Sequence, residues 1–519
     1  MTIALKGSKG YLTILVAVFL VALSLSLLTL FDVGQVTHAK TRLQHAADAT
    51  AYSAAVLQAR ELNFHAYMNR GMVANQVAIG QMVALSSYLQ SNQQLWYELQ
   101  QLGQFAQVIP YLGQVIRVTT QIAEITMGTI NMTAQYAASN FVNLSDTAIG
   151  LFSNASRIWH HAAIVEMGAE LNTIARKNDP SVELTLGAAA LTGSDLRSWF
   201  RFIRLNNIES AERPAGRPYH RKHFDEFREV MLESRDEFTR NRSQNFWEVD
   251  LGLWKLEFRQ RGGTAFGGIP GKRRPYYSWS AVDTISLWTK RRLRRHGWEE
   301  SLPVAWGRQA TYHESTPFSW LRAQRTTDWN GASRENGAAW QQVRIRDQLQ
   351  QGYFEGPRNH ITHIGHFKVS ESGLNQGFGR PTPQTNQGDN DGLRNFYDLR
   401  SDNADLQTQN PRTVDHATTL HILLSKSGNQ LKTSNTIPHL PGSNSPLGLH
   451  PRDQDTLSGN KLFAVAAAHA VFEKPWRLQP DQTTLELANL YSPYWQPKLV
   501  STEKRRTALL TAGLESVTQ

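Results

Sequence analysis

Three histidines in the segment HITHIGH come closest to a metal-binding pattern: His360, His363 and His366. Their spacing would place all three imidazoles on one face only if the segment were helical. The isoleucines and the glycine between them favour a strand, which would send His363 to the opposite face. We predict no metal site in this chain, keep these three histidines as its weak candidates, and expect them to be surface or packing residues.

The segment DNDG at residues 389–392 resembles part of a calcium-binding loop. With Gly392 at the sixth position of an EF-hand loop, its two aspartates take the third and fifth positions. Gln387 then stands at the first position and Asp398 at the twelfth, where the loop uses a glutamate. We therefore expect a turn with solvated acidic side chains rather than a calcium site.

A dense basic run lies between Trp288 and Trp298. Its basic side chains are Lys290, Arg291, Arg292, Arg294 and Arg295. Basic residues next to aromatic ones could bind nucleic acid through phosphates and stacking. Anionic lipid headgroups or acidic partner proteins would suit the same charges, and such a run can also be simply a solvated surface. Because we expect this part of the chain to lie outside the cytoplasm, we do not expect nucleic acid to be its partner.

The sequence offers no pattern for catalysis or for a cofactor. It contains no GxSxG, P-loop or HExxH motif, and no GxGxxG at the end of a predicted strand. It also contains no cysteine, which excludes disulfides, thiolate metal sites and cysteine nucleophiles. We therefore predict a protein that is not an enzyme and that needs no cofactor.

The element that must position everything else is an apolar run near the amino terminus. Residues 11–31 contain no charge, proline or glycine. As a helix, this run would be about 31 Å long, which matches the hydrocarbon core of a bilayer. A cleaved signal peptide has a shorter apolar core and a small-residue cleavage site, so we favour a transmembrane helix over it and over a buried soluble helix.

The orientation of this span depends on few charges. Lys6 and Lys9 precede it, whereas Asp32 follows at once and Lys40 and Arg42 come later. The positive-inside count is therefore nearly balanced. We favour a short cytoplasmic tail of residues 1–10, with the rest of the chain on the far side of the membrane.

The residues after the span carry a family resemblance. The pattern begins with a glycine before the apolar run and continues with DVG, which contains Asp32 and Gly34. It ends with KTRLQHAADA, whose matching residues are Leu43, Gln44, Ala46, Ala47 and Asp48. This arrangement resembles the amino-terminal segment of TadE/TadG-like proteins of the Tad (Flp) pilus-assembly system. The resemblance covers about the first 60 residues of the sequence. It implies a bacterial inner-membrane protein that works with other Tad pilus-assembly proteins or pseudopilins.

Two departures limit what the resemblance implies. Pilins that are cut after a glycine carry glutamate at the fifth mature position, which is Leu15 here if Gly10 is the cut. Longer TadG-like proteins often carry a von Willebrand factor A domain with a DxSxS metal motif, and this chain has no such motif. Neither cleavage by a prepilin peptidase nor metal-dependent adhesion is carried over.

Composition changes near residue 200. Residues 1–200 contain eleven basic and eleven acidic residues, so the net charge of +10 belongs entirely to the remainder, as do eleven of the fourteen tryptophans. We predict a cytoplasmic tail (1–10), a span (11–31), a helical periplasmic region (32–200) and a basic, Trp-rich periplasmic domain (201–519).

The fold class that we predict is α+β. The span should continue into an Ala-rich helix, because no proline occurs before Pro110 and apolar residues recur at helical spacing. Its small residues suit close packing, either on a second helix or on the helix's own domain. Short aromatic and β-branched runs predict strands in the carboxy-terminal domain, at residues 246–258, 276–288, 360–369, 418–424, 461–471 and 484–490. The last two runs are also compatible with helices.

Taken together, the sequence predicts a single-pass inner-membrane protein, with most of its chain in the periplasm, that acts as a scaffold in Tad pilus assembly through protein contacts. Two alternatives of other classes stay open at this point. One is a membrane-tethered envelope enzyme, which a cleft with perturbed titratable residues would support. The other is a basic module that binds nucleic acid or an anionic surface, which strongly salt-dependent binding would support.

Overall fold

The structure is a computed structural model of the full chain. It describes residues 9–105, 112–184, 186–212, 218–242, 244–250, 252, 254–267, 278–291, 298–311, 392–400, 415–431, 461–474 and 486–502. The predicted strand at residues 360–369 lies outside these ranges, as does Pro110.

Two long helices dominate the first part of the chain: α1 (Lys9–Phe105) and α2 (Leu112–Asn178). The remaining elements follow in chain order: β1 (Val182–Leu184), α3 (Leu186–Phe200), β2 (Ile203–Asn206), α4 (Ile208–Glu212), α5 (Pro218–Glu233), α6 (Glu237–Arg240), β3 (Gln244–Asp250), β4 (Trp254–Gly267), β5 (Ser278–Arg291), β6 (Trp298–Ala310), β7 (Phe396–Leu399), β8 (Leu420–Ser427), a 3₁₀ turn (Gly428–Gln430), β9 (Lys461–Phe472) and β10 (Trp495–Val500). The predicted α+β class is confirmed.

The predicted continuation of the apolar span into an Ala-rich helix is also confirmed, because α1 runs unbroken through both. It includes a stretch long and apolar enough to cross a membrane, and no residue of the most apolar window is buried. The hydroxyls of Ser24, Ser26 and Thr29 donate to the carbonyls four residues earlier, at 2.8, 2.8 and 3.1 Å. These polar groups are therefore satisfied inside the helix, as a lipid environment requires.

The chain forms two compact units that alternate along the sequence. Unit 1 comprises residues 1–67, 156–204 and 397–519, and unit 2 comprises residues 68–155 and 205–396. Each unit therefore contains a portion of α1, a portion of α2 and its own four-stranded sheet.

Unit 1 is built on an antiparallel sheet in the order β1-β8-β9-β10. The central strand β9 reads KLFAVAAAHAVF and is buried along almost its whole length. A strand that is covered on both faces reads as a continuous apolar run, and alanines let covering elements approach closely. The alanine face of α1 supplies such a covering element, with Leu43, Ala46, Ala47 and Ala54 fully or almost fully buried.

Unit 2 is built on an antiparallel meander in the order β3-β4-β5-β6. Alternate residues of β5 are buried: Trp279, Ala281, Asp283 and Ile285. This period of two identifies the face of the sheet that packs inward. Leu95 of α1 packs there with Phe258, Ile285 and Ala305 in one apolar cluster.

Helix α1 approaches the sheet of unit 2 very closely at Gly307 in β6. A Cβ atom at this position would overlap the carbonyl oxygen of Ser87 in α1. Only glycine leaves room for the helix backbone here.

The predicted strands are found in part. The runs at 276–288, 418–424 and 461–471 correspond to β5, β8 and β9. The run at 246–258 forms two strands, because Gly252 takes a φ of 76° and turns the chain between them. The strand predicted at 484–490 is wrong for residues 486–490, where the Asn489 side chain accepts hydrogen bonds from the N–H groups of Tyr491 and Ser492 and closes a turn.

Candidate functional site

Most of the residues that sequence patterns marked for chemistry lie outside the described residues. This holds for His360, His363 and His366, for Arg292, Arg294 and Arg295, and for the aspartates of the DNDG segment. Lys290 and Arg291 form the end of β5, where they pair with Glu299 and Trp298 of β6. The turn with solvated acidic side chains at residues 389–392 and the basic surface therefore stay predictions.

The residues that carry the family resemblance all lie on α1. Leu43, Ala46 and Ala47 are completely or almost completely buried. Gly34 is exposed. Asp32, directly after the apolar run, has only 2% of its surface exposed although most of the preceding apolar residues are exposed. The motif thus begins where α1 passes from an uncovered segment to one packed within unit 1.

Gln44 links this motif to the sheet of unit 1. Its side-chain nitrogen donates to Asp48 Oδ1 at 2.8 Å and to the carbonyl oxygen of Val465 in β9 at 3.0 Å. The pair Gln44 and Asp48 is one helical turn apart, so both side chains lie on the same face of α1. The LQ-AADA pattern therefore supplies small residues for close packing and an amide that binds a strand.

Two further amides on α1 bind the backbone of unit 1 by donating and accepting at the same time. Gln58 donates to Thr418 O at 3.0 Å and accepts from Ala470 N–H at 2.8 Å. Asn63 donates to Trp495 O at 2.9 Å and accepts from Trp495 N–H at 3.0 Å. Buried backbone groups need such partners, so these amides fix the position of α1 on the sheet.

Contacts of two aspartates attach the other helices of unit 1 to the same sheet. Asp195 of α3 accepts from the N–H of His421 at 2.9 Å and lies 3.0 Å from its Nδ1. Asp179, just after α2, accepts from Lys426 Nζ at 3.1 Å. Burial would raise the pKa of Asp179, but hydrogen bonds from Ser181 and the charge of Lys426 outweigh it and hold the pKa below its ordinary value.

A buried cluster of titratable side chains involves the same stretch of α1 as these amides. Glu61 and His65 are four residues apart on α1, and His160 faces them from α2. Glu61 and His65 are completely buried, and His160 is 2% exposed. Glu61 Oε1 bonds to His160 Nδ1 and lies 3.7 Å from His65 Nε2.

Aromatic rings surround the two imidazoles. Phe200 stacks on His160, with ring centroids 4.8 Å apart, and Tyr397 contacts His65 and His160 at 4.7 and 4.8 Å. Burial lowers the pKa of His65, although the nearby Glu61 carboxylate opposes this shift. Burial also raises the pKa of Tyr397 to about 12, which keeps its hydroxyl protonated at neutral pH. The cluster therefore holds imidazole and phenol groups in a dry, aromatic environment.

Three ligand atoms of this cluster, one from each of Glu61, His65 and His160, lie within 4.8 Å of one another, so these residues could hold a metal ion. Sequence patterns did not single them out. The local signal was a glutamate and a histidine four residues apart in an Ala-rich helix, which places both on one face. His160 could not be joined to them from spacing, since 95 residues separate it from His65.

Comparison with known proteins gives one result for the amino-terminal segment. The family model "Putative Flp pilus-assembly TadE/G-like" matches residues 10–58. No curated protein and no solved structure gives a significant match to the chain. The matched residues coincide with the apolar run, the motif from Asp32 to Asp48, and Gln58.

Proposed function

We propose that this chain, whose residues 10–58 form a segment of the TadE/G-like family of Flp pilus-assembly proteins, is a structural scaffold anchored in the inner membrane. The family segment supports a role in pilus assembly. The proposal adds that the chain crosses the membrane once with residues 11–31, holds most of its mass in the periplasm, and acts through protein contacts rather than catalysis.

The observation that supports the proposal is that the family segment is one continuous helix with two different environments. Its first part is an apolar helix whose most apolar window contains no buried residue. Its second part is the same helix, now buried against the sheet of unit 1 through Leu43, Ala46, Ala47 and Gln44. One rigid element therefore connects a candidate anchor directly to a folded unit, without a flexible linker between them.

This connection suits a scaffold. A partner bound to unit 1 would be held at a fixed distance from the membrane surface, because α1 continues unbroken from one into the other. The partners that fit are other pilus-assembly proteins or pseudopilins in the same membrane. Anionic lipid is a further candidate for the basic run at residues 290–295.

The proposal can be tested by replacing only the anchor. In the native host, the chromosomal gene is deleted and pili are counted by electron microscopy. Complementation uses the wild-type chain or a chain in which residues 1–31 are exchanged for a cleavable signal peptide. A third chain carries an unrelated single-span helix in place of residues 11–31 and serves as the matched control.

We expect the wild-type chain and the unrelated span to restore pili, and the released form to fail although it accumulates in the periplasm. Cross-linking followed by mass spectrometry on the restored strains should recover pilus-assembly proteins. Unchanged piliation in the deletion strain would overturn the role in assembly. Restoration by the released form would overturn the anchoring part of the proposal.

A further inference from the structure

The side chains of Glu61, His65 and His160 form a constellation that the proposed scaffold role does not use. Two of them come from one turn of α1 and the third comes from the facing turn of α2 within unit 1. Facing helices are where helical proteins build metal sites, with ligands that project inward from each helix. The three side chains are buried, so solvent does not compete for their donor atoms.

The hydrogen bonding of this cluster is incomplete. Among the described residues, Glu61 Oε2 and both ring nitrogens of His65 find no hydrogen-bond partner. The approach of His65 Nε2 to Glu61 Oε1, at 3.7 Å, is too long for a hydrogen bond. Buried polar atoms are almost always paired, and each exception calls for an explanation. A cation between the three side chains would bind one ring nitrogen of His65 and the carboxylate of Glu61, and so would supply partners to groups that lack them.

We propose that Glu61, His65 and His160 bind one divalent transition-metal ion of the zinc class. Two imidazoles and one carboxylate form a ligand set that zinc takes in proteins, with a fourth position left for water or another ligand. The absence of cysteine excludes a thiolate site, and nitrogen and oxygen donors of this kind suit Zn²⁺, Co²⁺ or Fe²⁺ better than Ca²⁺.

The surroundings fit a site that holds its ligands in place. Phe200 stacks on His160, and Tyr397 contacts both imidazoles, so the two rings have little freedom to rotate. Metal affinity depends on such orientation by neighbouring groups. The bound ion would join α1 to α2 in unit 1, and it would stabilise the folded state because the unfolded chain has no preformed site.

The competing account is that Glu61 and His160 form a buried hydrogen bond and that His65 only fills space. The two accounts differ in what the purified protein binds. The full chain is prepared in detergent with a tag that contains no histidine, stripped with a chelator and titrated with Co²⁺, whose visible absorption reports imidazole and carboxylate ligation. Metal content after purification is measured by mass spectrometry, and Zn²⁺ is used to displace the cobalt.

The variants His65→Gln and Glu61→Gln remove one ligand each. His161→Gln is the matched control, because His161 is the exposed neighbour of His160 on the same helix. We expect the wild type and His161→Gln to bind one Co²⁺ per chain with the same spectrum, and the affinity of His65→Gln and Glu61→Gln to fall at least tenfold. Zn²⁺ should raise the unfolding temperature of the wild type and of the control.

Two results would overturn the proposal. The first is a wild-type chain that takes up no saturable equivalent of Co²⁺ or Zn²⁺, which decides the question even if a variant fails to fold. The second is equal uptake by wild type and His65→Gln, which would assign the metal to exposed histidines. Failure of this site would leave the pilus-assembly role untouched, since the two rest on different residues.

Discussion

His469 on β9 stacks against His416, with ring centroids 4.5 Å apart and planes inclined by 2°. Thr419 Oγ1 lies 3.1 Å from its Nδ1. Burial lowers the pKa of His469 to about 4, and electrostatic interactions with His416 and Lys498 add to this effect. The imidazole is therefore held neutral in the folded state over a range in which it would be protonated in the unfolded chain.

We expect this histidine to make unit 1 less stable in acid. The ordinary pKa of 6.5 applies to the unfolded chain, so between pH 6.5 and pH 4 the unfolded state binds more protons than the folded state. The free energy of unfolding must then fall as the pH falls through that window. After allowance for solvent screening the loss is roughly 1–2 kcal/mol at the acid end.

The measurement is the unfolding temperature of the full chain in detergent, followed between pH 6.5 and pH 4. In His469→Gln the decline over this window should be shallower than in the wild type. His38→Gln, which removes an exposed histidine of α1, serves as the control and should follow the wild type. Parallel curves for wild type and His469→Gln would mean that other groups cause the acid sensitivity.

At the scale of single residues, the sequence predicted which side chains are buried better than it predicted which side chains contact each other. The helical spacing of Leu43, Ala46 and Ala47 predicted a small-residue packing face, and these residues are buried. The partner of Glu61 could not be predicted, because His160 lies 99 residues further along the chain. A spacing rule applies within one element, whereas this contact depends on how two helices fold back on each other.

At the scale of elements, a buried ion pair attaches α1 to the sheet of unit 2. Arg242 binds both carboxylate oxygens of Asp283 in β5, at 2.8 and 3.0 Å, and Ser87 of α1 donates to the same carboxylate at 2.6 Å. Arg242 also donates to Thr264 Oγ1 and Gly263 O of β4, each at 2.8 Å. The charges are thus fully buried and closely surrounded by hydrogen-bond partners.

Removal of one partner should therefore be costly, whereas removal of both should not. Asp283→Ala leaves a buried, uncompensated guanidinium and is expected to destabilise unit 2 by about 3–5 kcal/mol. The double variant Arg242→Met/Asp283→Leu replaces the pair with apolar groups and should recover most of this loss. Thermal unfolding of the full chain in detergent, with hydrogen exchange in residues 84–95 of α1, measures both effects.

Glu229→Ala, an exposed acidic residue on α5, is the control and should remain within about 0.5 kcal/mol of the wild type. If Asp283→Ala proves as stable as this control, the network contributes little to the attachment of α1. If the double variant is as unstable as the single one, the loss comes from packing rather than from the unpaired charge.

Two of the strands that the sequence did not predict, β6 and β10, share a physical reason. β6 contains Pro303 and β10 contains Pro497, and proline argues against a strand because it cannot donate to a neighbour. Both strands lie at the edge of their sheets, where one side needs no such donor. The position of a strand within a sheet is a property of the fold, so local sequence could not show that these prolines are tolerated.

At the scale of the whole molecule, each compact unit is formed by stretches that are far apart in the sequence. Gln58 binds Ala470 across 412 residues of sequence. The change in composition near residue 200 predicts a boundary between a helical region and a carboxy-terminal domain, and that division stays a prediction. Composition describes stretches of chain, whereas the compact units combine separate stretches, so the alternation of units could not be predicted from it.

The membrane topology is the last property at this scale, and the absence of cysteine makes it directly testable. Single cysteines can be introduced at Thr2 in the tail, at Leu20 in the apolar run and at Thr41, which is exposed on α1 beyond that run. Each is treated with a membrane-impermeant maleimide. A hydrocarbon core excludes both water and the reagent, and a short tail with two lysines favours the cytoplasm.

We expect Thr41→Cys to react in intact spheroplasts, Thr2→Cys to react only after the inner membrane is broken, and Leu20→Cys to react only in detergent. The cysteine-free chain is the control for background labelling. The reverse order for the first two variants would place the large carboxy-terminal part in the cytoplasm, where its basic run could meet nucleic acid. Reaction of Leu20→Cys in intact spheroplasts would mean that the apolar run does not lie in the bilayer. Unit 1 could then contact the membrane only through a partner.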